Sequence, residues 1–175
     1  MLFTPTAIDG VMLLEPQVLA DARGSFTRLN CTQEFMSAGV AFTPLQTSLS
    51  HNTAQHTLRG LHYCLEPEAK LVRCVRGRIF DVALDIRHGS ATFGLSAAAE
   101  LSAWNQRGLF IPAGVAHGFL TLEEHSDVLY QIDRIYRPGF DAGLRWNDPI
   151  ARSINWPAAP TAINERDAGY PDFKP

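Results

Sequence analysis

The feature that most limits how this chain can fold is the scarcity of helix-length amphipathic patterns beside an abundance of short alternating ones. Residues 79–86 set the type: Phe80, Val82, Leu84 and Ile86 fall on one face, and Asp81, Ala83 and Asp85 on the other. Arg76-Gly77-Arg78 supplies a turn back to residues 71–75. Residues 108–112, 115–122 and 127–136 continue the series, with Pro and Gly between them. Short strands and tight turns over 175 residues predict an all-β sandwich or jelly roll in one domain. Within it, residues 1–50 are expected to form N-terminal strands and an arm, and residues 51–136 the barrel core. Residues 137–175 read as an irregular tail, because the last 30 residues hold Pro149, Pro157, Pro160, Pro171 and Pro175. Short peripheral helices are the most that fits; the best lies at residues 31–38, where Asn30 and Gln33 are spaced like a capping box.

A hydrophobic fraction of 46% is enough for a packed core. The net charge of −3 gives no global basic field, so nucleic acid is not an expected partner. A phosphate-bearing ligand would have to meet a local cluster of Arg and Lys. Cys31, Cys64 and Cys74 are odd in number and lack CxxC spacing, which predicts free thiols in a reducing compartment. No signal-like opening and no apolar run near the ~20 residues of a membrane span occur, so a cytoplasmic protein away from the membrane is expected.

The densest group of reactive side chains is Leu58-Arg59-Gly60-Leu61-His62-Tyr63, followed by Lys70-Leu71-Val72-Arg73. In a regular strand Arg59 and His62 would point to opposite faces. Gly60 permits a bulge that turns both the same way. A second histidine stands in Ile111-Pro112-Ala113-Gly114-Val115-Ala116-His117, and Pro-x-Gly-x-x-His matches the second half of the cupin signature, a turn feeding a strand with an inward His. The first half, His-x-His with a later Glu in metal-binding cupins, is here His62-x-Cys64-x-Glu66. Two readings stay open at this point: a metal-dependent, dioxygenase-like cupin using His62, Cys64 and His117, or a cupin without metal. Taken singly, each group has a plain structural reading. Tyr130 suits an ordinary core position, Lys70 a guarded strand edge, Asp167 a turn in the tail and Arg23 a loop tip.

Across nearly its whole length the sequence resembles the dTDP-4-dehydrorhamnose 3,5-epimerase family. The likeness rests on Asp21-Ala22-Arg23-Gly24-Ser25-Phe26, the two stretches at residues 58–63 and 70–73, and Phe80-Asp81-Val82-Ala83-Leu84-Asp85-Ile86-Arg87. It continues through residues 111–119, Trp146-Asn147-Asp148-Pro149, Asn155-Trp156-Pro157 and Arg166-Asp167. The resemblance implies a cupin-like jelly roll, no metal or other cofactor, and a homodimer with an exchanged N-terminal strand, for which residues 2–18 are apolar enough. It implies epimerisation at C3, C5 or both of a nucleotide-diphosphate-linked 4-keto-6-deoxyhexose, as used in polysaccharide assembly and natural-product glycosylation. A non-catalytic nucleotide-sugar binding cupin is the remaining alternative.

Carried over by position, the resemblance makes His62 the base, Tyr130 the opposing acid, Asp167 the carboxylate behind His62, and Lys70 the cation near the sugar carbonyl. Arg23 and Arg59 fall to the diphosphate. Arg28, Gln46, Ser48, His117, Tyr136, Asp141 and Arg166 complete the substrate contacts, with Tyr136 on the same alternating face as Tyr130. The residue types suit the chemistry. Removing a proton beside a ketone needs a base titrating near neutrality, the enolate needs a cation at its oxygen, and inversion needs a donor on the far face.

The pattern is broken at several positions. Arg28 stands where the family usually has Glu, Ser48 where it has Asn, and Cys64 where it has Gln. Arg166 replaces a frequent Lys, and the loop between His62 and Lys70 is about two residues short. Because a guanidinium has only donors, Arg28 suits a base edge rich in acceptors, which points to a CDP or GDP carrier in place of dTDP; the equal alternative is that Arg28 meets a phosphate or solvent, and the carrier stays open among dTDP, CDP, GDP and UDP. The lost amides suggest a sugar with different hydroxyls, or inversion at a single carbon.

Overall fold

The computed structural model describes residues 1–174 and turns the alternating segments into two antiparallel sheets. One has six strands in the order β1 (Leu2–Pro5), β2 (Met12–Glu15), β10 (Gly108–Ile111), β7 (Lys70–Arg76), β12 (Ser126–Ile132), β5 (Gln46–Asn52). The other has five, in the order β13 (Asp141–Gly143), β6 (Leu58–Cys64), β11 (Val115–Thr121), β8 (Arg78–Asp85), β9 (Ser96–Ser102). A separate hairpin, β3 (Val18–Asp21) and β4 (Gly24–Thr27), stands apart from both. The connections cross from sheet to sheet, and the architecture is an all-β, cupin-like jelly roll. Among the described residues no helix is long and apolar enough to cross a membrane.

The core between the sheets is built from Val72, Cys74, Leu109, Ile111 and Val128 on one wall and Ile79, Ala83, Val115 and Phe119 on the other. Each sheet is also covered on its outer face. Helix α1 (Thr32–Ser37) and the loop after it press Phe35 and Phe42 onto Leu14, Leu71 and Phe110. Leu144, Ala151, Ile154, Trp156 and Phe173 from the C-terminal segment cover Leu61, Val82, Leu84 and Ala116. Burial on both faces explains why all seven residues of β11 are buried.

This double covering changes how the 79–86 pattern is read. Its apolar face, Phe80, Val82 and Leu84, packs under the C-terminal segment, and the face bearing Asp81 and Ala83 looks into the barrel. The first helix is shorter than its pattern suggested, and Cys31, not Asn30, occupies its N-cap position, with no side-chain hydrogen bond. Strand β12 stops at Ile132, so Tyr136 is not on the same strand as Tyr130. The C-terminal segment contributes β13, a 3₁₀ turn at Pro149–Ser153 and α2 (Glu165–Ala168). Residues 2–15 pair within the chain's own six-stranded sheet, β1 on β2 and β2 on β10.

Candidate active site

The site begins with an irregularity in β6. His117 pairs with His62 and Phe119 with Arg59, so two steps along β11 match three along β6. That one-residue bulge puts Arg59 and His62 on the same inner face, which strict alternation forbids. Gly60 makes it feasible: its φ is +119°, and a Cβ there would lie 2.6 Å from the Gly118 Cα. The backbone freed by the bulge is used, since the Gly60 N–H donates to Asp167 Oδ2 at 3.0 Å.

Asp167 arrives from α2, whose first turn is fixed by Asn164 Oδ1 accepting from the Asp167 N–H at 2.6 Å. Its carboxylate is fully buried. Burial pushes its pKa upward, but the His62 and Gly60 hydrogen bonds and the charges of His62 and Arg166 outweigh that and hold it below the usual carboxylate range. An ionised carboxylate only accepts, so the 2.8 Å contact is His62 Nε2–H donating to Asp167 Oδ1, which leaves Nδ1 as a free lone pair. The half-exposed imidazole is therefore held in one orientation with a ring nitrogen left open. Arg166 lies beside the pair, with its Nη2 3.4 Å from His62 Nε2.

Tyr130 occupies the facing wall. It sits on β12 between Ser48 and Val72, and its ring meets that of His117 edge-on with centroids 5.9 Å apart. Burial first, and then the negative charge of Asp81, push its phenol far above the ordinary range, so the Tyr130 hydroxyl stays protonated. His117 is itself held by Asp81, with Nε2 to Oδ1 at 2.8 Å and both side chains buried. Arg59, itself exposed, lies near enough for its charge to act on Tyr130 and donates from Nε to the buried Asn52 Oδ1 at 2.8 Å. Lys70 shares its strand face with Val72 and Cys74, and its Nζ pairs with Glu68 at 3.1 Å.

Around the mouth the arrangement is looser. Gln46 Oε1 accepts from the Tyr136 backbone N–H at 2.7 Å, and a hydrogen bond to Asp141 raises the exposed Tyr136 phenol. Cys64 accepts from Arg134 at 2.8 Å, and burial followed by the Glu68 charge pushes its thiol up. Ser48 is exposed on the edge strand β5. Arg23 and Arg28 lie outside the barrel, bonded to Asp21 at 2.6 Å and Glu34 at 3.2 Å.

Sequence reasoning thus gathered His62, Asp167, His117, Tyr130, Arg59 and Lys70, and it missed Asp81, Asn52 and Glu68. Asp81 carried a usable signal, a carboxylate recurring opposite an apolar strand face, but that face was not recognised as interior. Among the described residues, no three His, Cys, Asp or Glu side chains are grouped as a metal ion requires. Of the set weighed for a metal, both histidines face carboxylates and Cys64 faces Arg134.

Comparisons with known proteins identify the family. The sequence model of the dTDP-4-dehydrorhamnose 3,5-epimerase family matches residues 5–175. The dTDP-4-dehydrorhamnose 3,5-epimerase of Sinorhizobium fredii is 40% identical over 176 residues, covering 99% of this chain and 90% of the relative. The crystal structure of the Bacillus anthracis enzyme of that name, with TDP and pyrophosphate bound, superposes with a TM-score of 0.93 at 35% identity, covering 98% of each chain. A Legionella pneumophila dTDP-6-deoxy-D-glucose-3,5-epimerase, solved with dTDP-4-keto-L-rhamnose, gives 0.89 at 34% identity, covering 95% of this chain and 89% of the other. A His62–Asp167 pair on one sheet and a partly buried Tyr130 on the other are thus housed in a sequence and a fold that agree, and the chain belongs to the dTDP-4-dehydrorhamnose 3,5-epimerase family, a family of isomerases.

Proposed function

We propose that this protein inverts C3 and C5 of a dTDP-linked 4-keto-6-deoxyhexose, with His62 removing the proton and Tyr130 returning one from the opposite face. One observation carries the reading: the His62–Asp167 pair and the Tyr130 phenol belong to opposing sheets that share one interior. Packed sheets lie about 10 Å apart, so side chains on the two inner faces can reach one molecule bound between them. His62 Nδ1 takes the proton beside the ketone, the electron pair passes to the carbonyl oxygen, and the Lys70 ammonium offsets the charge that develops there. The Tyr130 O–H then protonates the far face. Arg59 is assigned to the diphosphate, and Tyr136, Asp141, Gln46 and Ser48 to the mouth.

The expectation of a CDP or GDP carrier loses its support, because the Arg28 guanidinium is already bonded to Glu34. The relatives named above carry dTDP in their names or ligands. The exposed hairpin at residues 18–27 suits a homodimer: Leu19 and Phe26 are 57% and 72% exposed, and Arg23 beside them is free to reach a neighbouring subunit's mouth. A cytoplasmic setting fits three free cysteines.

Incubation with the dTDP-4-keto-6-deoxyhexose in D₂O, followed by NMR, tests the reading. Deuterium is expected at both C3 and C5, with inversion at each. Label at one carbon alone reduces the activity to a mono-epimerase; no label at either overturns it.

A further inference from the structure

Each inversion leaves the protein's own protons misplaced: His62 has gained one and Tyr130 has lost one. They must be restored before the next carbon or the next substrate reacts. The interior holds a pair with no part in the steps above. His117 is the direct cross-strand partner of His62, a placement that sets side-chain β-carbons about 5 Å apart. On its other side it meets the Tyr130 ring edge-on at 5.9 Å. Its Nε2 is fixed by Asp81, a fully buried carboxylate whose second oxygen has no partner. A histidine that merely filled space would not need this company. Burying a carboxylate with one oxygen unsatisfied is costly, and such groups mark places where charge has to be held.

We propose that His117, held by Asp81, is an internal proton relay that returns the abstracted proton from His62 to Tyr130. The inference rests on the epimerase reading above. The substrate C–H bond breaks, and its proton forms an N–H bond at His62 Nδ1. The Tyr130 O–H bond breaks as the new C–H bond forms, leaving a phenolate. The His62 proton then moves to the lone pair of His117 Nδ1, with Asp81 as the counter-charge, and from there to the phenolate oxygen. No proton is gained or lost over the cycle, and nothing is oxidised. The groups facing His117 are Asp81 from β8, His62 from β6 and Tyr130 from β12, with Arg59 near enough to act on Tyr130. His117 and Asp81 are in this sense positioning residues, acting on the substrate only through Tyr130.

The test uses the dTDP-4-keto-6-deoxyhexose carrying deuterium at the labile carbons, turned over in ordinary water. The wild-type enzyme is expected to return part of the label to the inverted product. His117→Asn should return none and should slow steady-state inversion about 100-fold, the scale of a lost proton-transfer step. Wash-out of label from recovered substrate, which is the work of His62, should fall far less than inversion in that variant, so the ratio of inversion to wash-out drops. Asp81→Asn, which keeps the shape and loses the charge, should shift the same ratio in the same direction, with dTDP affinity and thermal midpoint checking that each variant is folded. Complete loss of label by the wild type, or parallel loss of wash-out and inversion in folded variants, overturns the relay. A wild type showing neither wash-out nor inversion overturns the epimerase reading itself, and the relay with it.

Discussion

The barrel interior and the hairpin at residues 18–27 treat their polar side chains in opposite ways. Inside, His62 is set by Asp167, His117 by Asp81 and Arg59 by Asn52, and each partner is buried. On the hairpin, Arg23 touches only its neighbour Asp21, with 90% of its side chain exposed, and Leu19 and Phe26 have nothing over them. A group that must meet a reacting atom is oriented in advance by the fold, because misplacement costs rate directly. A group that recognises a ligand or a second copy can wait to be ordered by it. Substitutions in the two regions should therefore fail differently, the interior in turnover and the hairpin in binding.

The sharpest separation comes from the base. His62→Asn is expected to lower kcat by about 10³–10⁴-fold, at the upper end for a general base, with little change in dTDP affinity by calorimetry. Asp167→Asn should lose a smaller factor in kcat and also alter the acid response of stability. Asp167 has a folded pKa below its ordinary value of 3.8, so its stabilisation is present above that value and is lost as pH falls through the lower folded one. Acid unfolding followed by circular dichroism should therefore be steeper below about pH 4 for the wild type than for Asp167→Asn. An unchanged acid limb would mean that the carboxylate is not held as described.

Gly60→Ala attacks the scaffold of the comparison. A methyl group would meet the Gly118 Cα at 2.6 Å and the His117 carbonyl oxygen at 2.8 Å, backbone atoms that cannot rotate away. We expect a loss of roughly 3 kcal/mol or more in denaturant unfolding, with activity falling alongside it. Gly139→Ala is the control, since its Cβ would meet nothing within 4 Å although its φ is also positive. Equal effects at the two glycines would show that backbone strain, and not the close crossing of β6 and β11, sets the requirement.

How far the sequence carried this picture depends on the range of the interaction concerned. Strand periodicity is local, and the strands at residues 70–76, 108–111 and 115–121 lie within a residue or so of where alternation put them. The Gly60 bulge was legible for the same reason. What alternation could not say is which face is inside, because Phe80 and Val82 lie under a C-terminal segment more than 60 residues away in sequence. Asp81 was not singled out on that account, and its pairing with His117 went unseen. Tyr136 failed differently. Even spacing extended the strand past Ile132, but β12 ends there, and the Tyr136 N–H is taken by the Gln46 side chain instead of a strand partner. The Asp167–His62 contact spans 105 residues and was available only through likeness to a family.

On the hairpin the effects should be smaller and should appear in binding. Arg23→Ala is expected to raise KM about 10-fold with kcat nearly unchanged, and Phe26→Ser to weaken self-association in sedimentation without touching the isolated barrel. Arg28→Ala is the mildest. Its guanidinium is bonded to Glu34, whose other oxygen already meets the N-terminal ammonium at 3.4 Å, so removing it should cost about 1 kcal/mol or less of stability. Dissociation constants for dTDP, CDP, GDP and UDP should keep the same order in Arg28→Ala as in the wild type. A reversal of that order would mean that Arg28 leaves Glu34 to read the base, and the division would have to be redrawn, with one hairpin-side residue governing specificity as firmly as the interior governs turnover.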